Sequence, residues 1–247
     1  MSTVKRPYQD VASAIKSLVL AYGYKIGDRL LPEREIAVKL EVSRTVVREA
    51  LIMLELEKVV EVRQGSGIYI VSLPGSHANK LVMAEYSAGP FELLQARQLL
   101  ESNIAEFAAT QATPSDIQKM RKALALELDD LRNSGEEFGD KAFHLAIAEA
   151  THNSLLVELF NQSWAWRDNN PMWQALHQRI SSNDYRQEWL KDHQGILAAM
   201  IKKDPQLARK MMWQHLENVK LRLQELSEVD DPAFDGFLFE SYPMIIN

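Results

Sequence analysis

The spacing of apolar residues changes from a helical period to a strand period within the first 71 residues, and this change restricts the possible folds most strongly. Between residues 8 and 22, apolar side chains recur every three to four positions, which predicts an amphipathic helix. A short helix is predicted over 33–40, and Ser43 is suited to cap a third helix that ends near residue 57. From residue 60, apolar and polar residues alternate on both sides of a glycine-containing turn, which predicts a β-hairpin. Three helices followed by a hairpin describe a winged helix-turn-helix.

The third predicted helix carries residues suited to contact DNA. Arg44 and Arg48 are four positions apart, so both side chains project from one helix face. We expect this N-terminal end of the helix, with Thr45 and Glu49, to be exposed. Arginine binds guanine edges or phosphates, and the N-terminal residues of a recognition helix face the bases of the major groove. An ordinary solvated helix face carries such charges too, so periodicity alone does not separate the two interpretations.

The charge of the chain is distributed unevenly, although the net charge of −6 by itself argues against a nucleic-acid partner. Residues 1–74 contain 11 Lys and Arg against 9 Asp and Glu, a net charge of +2. Residues 75–247 contain 17 against 25, a net charge of −8. A mildly basic N-terminal region on an acidic remainder permits DNA binding by the N-terminal region alone.

From residue 90 onward the sequence predicts only helices, which makes the fold class mainly α. We predict a winged helix-turn-helix DNA-binding domain over 1–74, a linker over 75–89, an all-α helical bundle over 90–229 and a C-terminal tail over 230–247. The helices of the bundle are predicted over 91–110, 114–133, 136–150, 154–169, 172–180, 185–202 and 205–227.

Several classes of protein are excluded by composition. The longest apolar runs are too short to cross a membrane, and the N-terminal residues 1–8 lack the apolar stretch of a signal peptide. The chain has no cysteine, which excludes disulfides and thiolate metal sites. We therefore expect a cytoplasmic protein with no membrane partner.

Four residues in the helical half could form a metal site. Asp140 and His144 are four positions apart and project from one face of a predicted helix. His193 and His215 belong to two other predicted helices, which a bundle could direct at the same point. Three imidazoles and a carboxylate suit a divalent cation such as zinc, nickel or manganese. Histidines that are merely on the surface or packed in the core are the alternative, because the chain has neither an HExxH motif nor paired cysteines.

The N-terminal motifs resemble those of the GntR family of bacterial regulators. The resemblance rests on Leu31–Ala37, Val42–Leu51 and the turn Gly65–Ile68. Leu31 stands where the family usually has proline, a difference that leaves the DNA-contacting positions intact. The resemblance implies that the residues in contact with operator DNA are Arg34, Arg44, Thr45, Arg48 and Gly65.

The helical half is similar to the ligand-sensing and dimerisation domain of the FadR subfamily of GntR regulators. This similarity rests on Asp140-x-x-Phe143-His144, on Asp192-His193 and on Met212-x-x-His215. It implies a metal, with zinc as the first candidate, and it implies that Arg97 faces the ligand cavity. The metal ligands that it implies are Asp140, His144, His193 and His215.

Longer stretches, among them 89–97, 148–154 and 212–218, resemble hexuronate-operon repressors of the ExuR/UxuR type. This resemblance implies that a sugar acid such as fructuronate, glucuronate or galacturonate releases the protein from DNA. Because one recognition helix reads only a few base pairs, we also predict a homodimer that binds a palindromic operator. Two alternatives are a metal-dependent sugar-acid enzyme that carries a DNA-binding domain, and a dimeric DNA-binding protein without a sensor. An enzyme needs an acid or base beside its metal, and the acid that we consider for this role is Glu149, five residues after His144. We therefore predict a regulator and no enzyme.

Overall fold

The computed structural model describes residues 7–63, 66–75, 88–133, 138–177 and 184–227. Within these ranges the chain is mainly helical with one small antiparallel hairpin, which confirms the predicted fold class. The elements are α1 (Pro7–Ala21), α2 (Glu33–Leu40), α3 (Arg44–Leu56), β1 (Val60–Arg63), β2 (Gly67–Ile70), α4 (Pro90–Gln111), α5 (Pro114–Asn133), α6 (Phe138–Glu149), α7 (Ser154–Asp168), α8 (Pro171–His177), α9 (Asp184–Lys202) and α10 (Pro205–Ser227).

The N-terminal elements form the predicted winged helix-turn-helix. The apolar face of α1 is buried and packs against α3. At the start of α3 the Ser43 hydroxyl accepts a hydrogen bond from the Val46 N–H at 3.3 Å, so Ser43 is the helix cap that the sequence predicted. In the hairpin, Val60 lies opposite Ile70 and both side chains are buried.

Gly67 enters β2 with a φ of 117°, a conformation that side chains with a Cβ rarely adopt. A Cβ at this position would also collide with the Arg29 side chain. Gln64 and Gly65 lie outside the described residues, so the contact of Gly65 with DNA stays a prediction.

The chain divides into two compact units, and each unit combines segments that are separated in the sequence. The first unit combines residues 1–92 with 168–179 and 223–247, and the second combines 93–167 with 180–222. The first unit thus contains α8 and the end of α10 beside the winged helix. The domain boundaries at 74, 89 and 229 stay predictions, and residues 76–87 of the linker and the whole tail 230–247 lie outside the described residues.

The second unit is a helical bundle around a continuous apolar core. Gly139 allows α6 to approach α5 closely, because a Cβ at this position would collide with the backbone of Glu127. This approach places Glu127 and Asp140 near each other, beside one small pocket. The large buried side chains of the core include Phe143, Ile147, Phe160, Trp164, Ile196, Met200, Met212 and Leu216.

None of the helices that the structure describes is both long and apolar enough to cross a membrane.

Candidate metal centre and DNA-binding surface

The structure brings all four predicted metal ligands together inside the second unit. The Nε2 atom of His193 lies 3.2 Å from Nε2 of His144 and 3.1 Å from Nε2 of His215. The Oδ1 atom of Asp140 lies 3.6 Å from Nε2 of His144 and 3.8 Å from Nε2 of His193. One candidate ligand atom from each residue lies within 4.8 Å of the other three. Metal binding by this cluster stays a prediction, but the geometry that it requires is present.

Each histidine of the cluster directs its other ring nitrogen, Nδ1, at a carboxylate. Glu101 on α4 lies 2.5 Å from Nδ1 of His144, and Glu127 on α5 lies 2.8 Å from Nδ1 of His193. Asp192 lies 3.4 Å from Nδ1 of His215. A carboxylate acceptor places the ring proton on Nδ1 and leaves the lone pair of Nε2 facing the common centre. Such carboxylates commonly orient histidines that bind metals.

Sequence reasoning missed the roles of these three carboxylates. Asp192 had a signal, since it precedes His193 directly and lies in a stretch that carried the family resemblance. Glu101 and Glu127 lie on helices without a metal ligand, so only the packing of the bundle assigns them to histidines.

The pKa shifts of Asp140 and His215 favour the protonation states that a metal ligand needs, whereas the shift of His193 does not. Burial raises the pKa of Asp140, but Arg167 and the three histidines together hold it well below its usual range. Burial and the neighbouring positive charge of His193 lower the pKa of His215 to about 3. Asp140 is therefore anionic and His215 neutral, as metal ligands must be. Burial lowers the pKa of His193, yet the hydrogen bond and charge of Glu127 raise it overall, so metal binding competes with a proton more strongly at His193 than at His215.

Two arginines and a tryptophan lie beside the cluster. The guanidinium of Arg97 donates to Oε1 of Glu101 at 2.6 Å and stacks 4.2 Å from the ring centre of Trp164. Arg167 stacks 4.4 Å from the same ring, and its Nη1 lies 3.6 Å from Oδ2 of Asp140. Burial raises the pKa of Glu101, but Arg97 and His144 bring it down to about 2. Arg97 is therefore buried next to the candidate metal centre, and its contact with a ligand stays a prediction.

A small cavity with a volume of about 10 Å³ lies beside the metal cluster in the second unit. It is lined by one candidate ligand, Asp140, together with Glu127, Leu131, Arg186 and Trp189. Arg186 is buried, so its guanidinium adds a desolvated positive group next to the cluster. Sequence reasoning missed Arg186 because a single arginine on an amphipathic helix carries no recognisable spacing.

The predicted DNA contacts differ in exposure. Arg34 is exposed on α2, as a DNA contact requires. The expectation that the start of α3 is exposed was wrong, since Arg44, Thr45 and Arg48 are only 5%, 1% and 3% exposed. Glu49 is buried as well.

The burial of Arg48 follows from its partners. Its Nη2 and Nε atoms donate to the buried carboxylate of Glu33 at 3.0 and 3.3 Å, and its Nη1 donates to the carbonyl of Gln224 at 3.2 Å. Arg44 lies 3.7 Å from the same Glu33 carboxylate. A buried carboxylate requires cations or N–H donors, so Glu33 holds these side chains inside the unit. The periodicity of a single helix cannot reveal a second surface that covers its polar face.

Comparison with known proteins decides the family. Residues 7–70 match the family described as bacterial regulatory proteins, gntR family, and residues 92–218 match the FCD domain. The chain is 60% identical over 248 residues to the Uxu operon transcriptional regulator of Escherichia coli (strain K12), covering 98% of this chain and 96% of that protein. The chain belongs to the GntR family. As a member of this family it is a DNA-binding transcription regulator.

Two further relatives of this GntR regulator are also named as regulators. The Uxu operon regulator of Haemophilus influenzae is 51% identical, covering 98% of this chain and 91% of that protein. The Exu regulon transcriptional regulator of Escherichia coli (strain K12) is 46% identical, covering 98% of this chain and 94% of that protein. The predicted family and the prediction of a regulator instead of an enzyme are thus confirmed. The solved structure of E. coli McbR/YncC, at 21% identity and a TM-score of 0.50 over 91% of this chain and 100% of that one, shares the fold.

Proposed function

We propose that this GntR regulator represses genes of hexuronate metabolism and that a sugar acid, bound at a metal in the helical unit, releases it from its operator. The observation that carries the proposal is the convergence of three histidine Nε2 atoms and one carboxylate oxygen, with every Nδ1 facing a carboxylate. The names of the relatives, Uxu operon and Exu regulon regulators, supply the metabolic context.

The metal is proposed to be held by Asp140, His144, His193 and His215, with zinc as the first candidate and nickel or manganese as alternatives. Nitrogen and oxygen donors in this ratio suit borderline divalent cations. When bound, such a cation supplies a Lewis-acidic centre whose remaining coordination positions can accept oxygen atoms of a ligand. The three carboxylates behind the histidines keep the rings oriented whether or not a ligand is present.

Glu101→Gln is expected to weaken metal binding by about 10- to 100-fold, because the amide cannot hold the Nδ1 proton of His144 as a carboxylate does. The matched control is Glu106→Gln on the same helix, since Glu106 pairs with Arg209 in a partly exposed position away from the cluster. Affinity is measured by competition with a chromophoric chelator. Equal affinity of both variants and the parental protein would show that Glu101 does not support a metal.

A sugar acid suits the surroundings of the cluster because it combines a carboxylate with neighbouring hydroxyl oxygens. We propose that these oxygens complete the coordination of the metal, and that a guanidinium pairs with the negative charge. Arg97 is the arginine that the family resemblance assigns to this role. Arg186 is the arginine that lines the pocket beside Asp140, which adds it as a second candidate. Fructuronate is our first choice of effector, before glucuronate and galacturonate.

Operator recognition is proposed to use Arg34, Arg44, Thr45, Arg48 and Gly65. A single recognition helix reads only a few base pairs, so a specific site needs two copies. We therefore propose a homodimer on a palindromic operator, in which the two-fold axis of the protein coincides with that of the DNA.

Fructuronate and operator DNA are expected to weaken each other's binding by the same factor, in the range of about 5- to 150-fold. An effector can shift the protein away from DNA only if it binds the DNA-free form more tightly, and thermodynamic linkage makes the effect reciprocal. Two calorimetric titrations of metal-loaded protein measure this effect, with a duplex that the protein has selected from a random pool. One gives the affinity for fructuronate with and without the duplex, and the other gives the affinity for the duplex with and without fructuronate.

Glucose is the control ligand for glucuronate in this titration, because it keeps the hydroxyl groups of glucuronate and lacks the carboxylate. Glucose is expected to bind neither form. If fructuronate, glucuronate and galacturonate each bind with the same affinity in the presence and absence of the duplex, the proposed release mechanism is wrong.

A further inference from the structure

Most of the recognition helix α3 is buried within the first unit. Ten of its thirteen residues are buried, including Arg44, Thr45 and Arg48 near its N-terminal end. A helix that enters the major groove must present this end to the bases. The arrangement in the structure therefore does not allow α3 to read DNA.

Two segments from distant parts of the sequence cover α3. Helix α8 packs against α3 and buries its own Met172, Trp173 and Leu176. The carbonyl of Gln224, near the end of α10, accepts a hydrogen bond from Nη1 of Arg48 at 3.2 Å. We call α8 and this turn of α10 the cover. The cover thus uses a side chain that the family resemblance assigns to operator DNA.

Asn170 holds the start of α8 in place. Its Oδ1 accepts hydrogen bonds from the N–H groups of Met172 at 2.9 Å and Trp173 at 3.1 Å, which makes it the cap of this short helix. Its Nδ2 donates to the carbonyl of Ala88 at 2.6 Å, just before α4. Asn170 is 2% exposed, so these bonds form without competition from water.

A further attachment ties α3 to the beginning of α4. The buried carboxylate of Glu49 accepts hydrogen bonds from the N–H groups of Phe91 at 3.0 Å and Glu92 at 3.4 Å. A carboxylate at the N-terminus of a helix is stabilised by the free N–H groups and the helix dipole. Separation of α3 from its surroundings must break this contact as well.

We propose that the cover is an intramolecular competitor of operator DNA: it occupies the recognition helix, and DNA binds only the fraction of molecules in which the cover has opened. The proposal rests on the DNA-binding role of α3 given above. The apparent affinity for operator is then the intrinsic affinity multiplied by the open fraction. Any change that weakens the cover without altering α3 must strengthen operator binding.

The first test measures the exposure of α3 directly and needs no DNA. Because the chain has no cysteine, Thr45→Cys introduces a single thiol at a position that is 1% exposed, and Val38→Cys places the control thiol on α2 at a position that is 74% exposed. We expect the thiol at residue 45 to react with a maleimide about 100-fold more slowly than the control thiol at residue 38. This factor is expected if the thiol reacts only in an open form that is populated at about 1%. Equal rates in the folded proteins would show that no cover protects α3.

The second test measures competition with DNA. Asn170→Ala is expected to raise the affinity for the duplex that the protein has selected from a random pool about fivefold. Loss of the helix cap destabilises the closed form and so shifts the equilibrium toward the open form by about that factor. The matched control is Asn153→Ala, which removes the same kind of cap from α7, where Asn153 accepts from the N–H groups of Leu155 and Leu156. Unchanged or weaker operator binding by Asn170→Ala would overturn the proposal.

The two tests separate this proposal from the proposed function. If neither the parental protein nor Asn170→Ala binds any duplex while the thiol at residue 45 stays protected, the DNA-binding role fails although the cover exists. If the parental protein binds DNA and the thiol reacts freely, the cover fails although the DNA-binding role stands.

Discussion

Arg48→Ala is expected to lower the free energy of unfolding of the first unit by about 3 kcal/mol, in addition to any loss of operator binding. Arg48 supplies two hydrogen bonds to the Glu33 carboxylate, which is 1% exposed, and a third to the carbonyl of Gln224. Removal of a cation from a buried pair leaves a carboxylate that water cannot reach. Urea denaturation followed by circular dichroism measures the change.

The matched control for this prediction is Arg34→Ala, which removes the same charge from an exposed position of α2. Its effect on stability is expected to stay within about 0.5 kcal/mol. A double variant that combines Arg48→Ala with Glu33→Gln should recover part of the loss, because no charge then remains buried opposite the missing arginine. Strictly additive effects of the two substitutions would show that the pair contributes nothing to stability.

His193→Ala is expected to abolish tight metal binding and the stability that depends on it. A ligand that binds only the folded state stabilises it by about 4 kcal/mol at a free concentration of 1,000 times its Kd. For a chain of this size, that change corresponds to a decrease in melting temperature of about 10 °C. Elemental analysis of gently purified protein is expected to find one metal per chain in the parental protein and none in the variant.

A chelator separates the contribution of the metal from that of the hydrogen bond between His193 and Glu127, which the variant also loses. Chelation should destabilise the parental protein and leave the melting temperature of His193→Ala unchanged. After chelation, hydrogen exchange should become faster in α6 and α9 and stay unchanged in α1, because a ligand stabilises the unit that forms its site. His152→Ala is the matched control, since His152 is exposed and lies 3.1 Å from Asp116. Equal responses of both variants to the chelator would refute the metal site.

Local sequence was sufficient for the secondary structure. The helices and the hairpin occur where the periodicities placed them, and Ser43 caps α3 as expected. These features depend on neighbours within a few positions, such as the i to i+4 spacing that puts Asp140 and His144 on one helix face. Residue types and spacing indicated four candidate metal ligands, the family resemblance implied that role for them, and the structure brings them within 4.8 Å of one another.

The partners of those residues could not be predicted, because they belong to other helices. Glu101 and Glu127 approach His144 and His193 from α4 and α5, at sequence separations of 43 and 66 residues. A glutamate on an amphipathic helix has the same local signature whether it faces solvent or the ring nitrogen of a histidine. Only the packing of the bundle distinguishes the two cases.

The exposure of α3 shows the same division between local and tertiary information. Its sequence determined that the helix forms, which side chains point away from the core of the winged helix, and which of them resemble DNA contacts. Only the tertiary structure decided that α8, more than a hundred residues away in the chain, packs against α3, that the carbonyl of Gln224 accepts a hydrogen bond from Arg48, and that Glu33 holds Arg48 in a buried ion pair. The physical reason is that helix periodicity records one buried face, whereas burial on a second face comes from segments whose position depends on the whole chain.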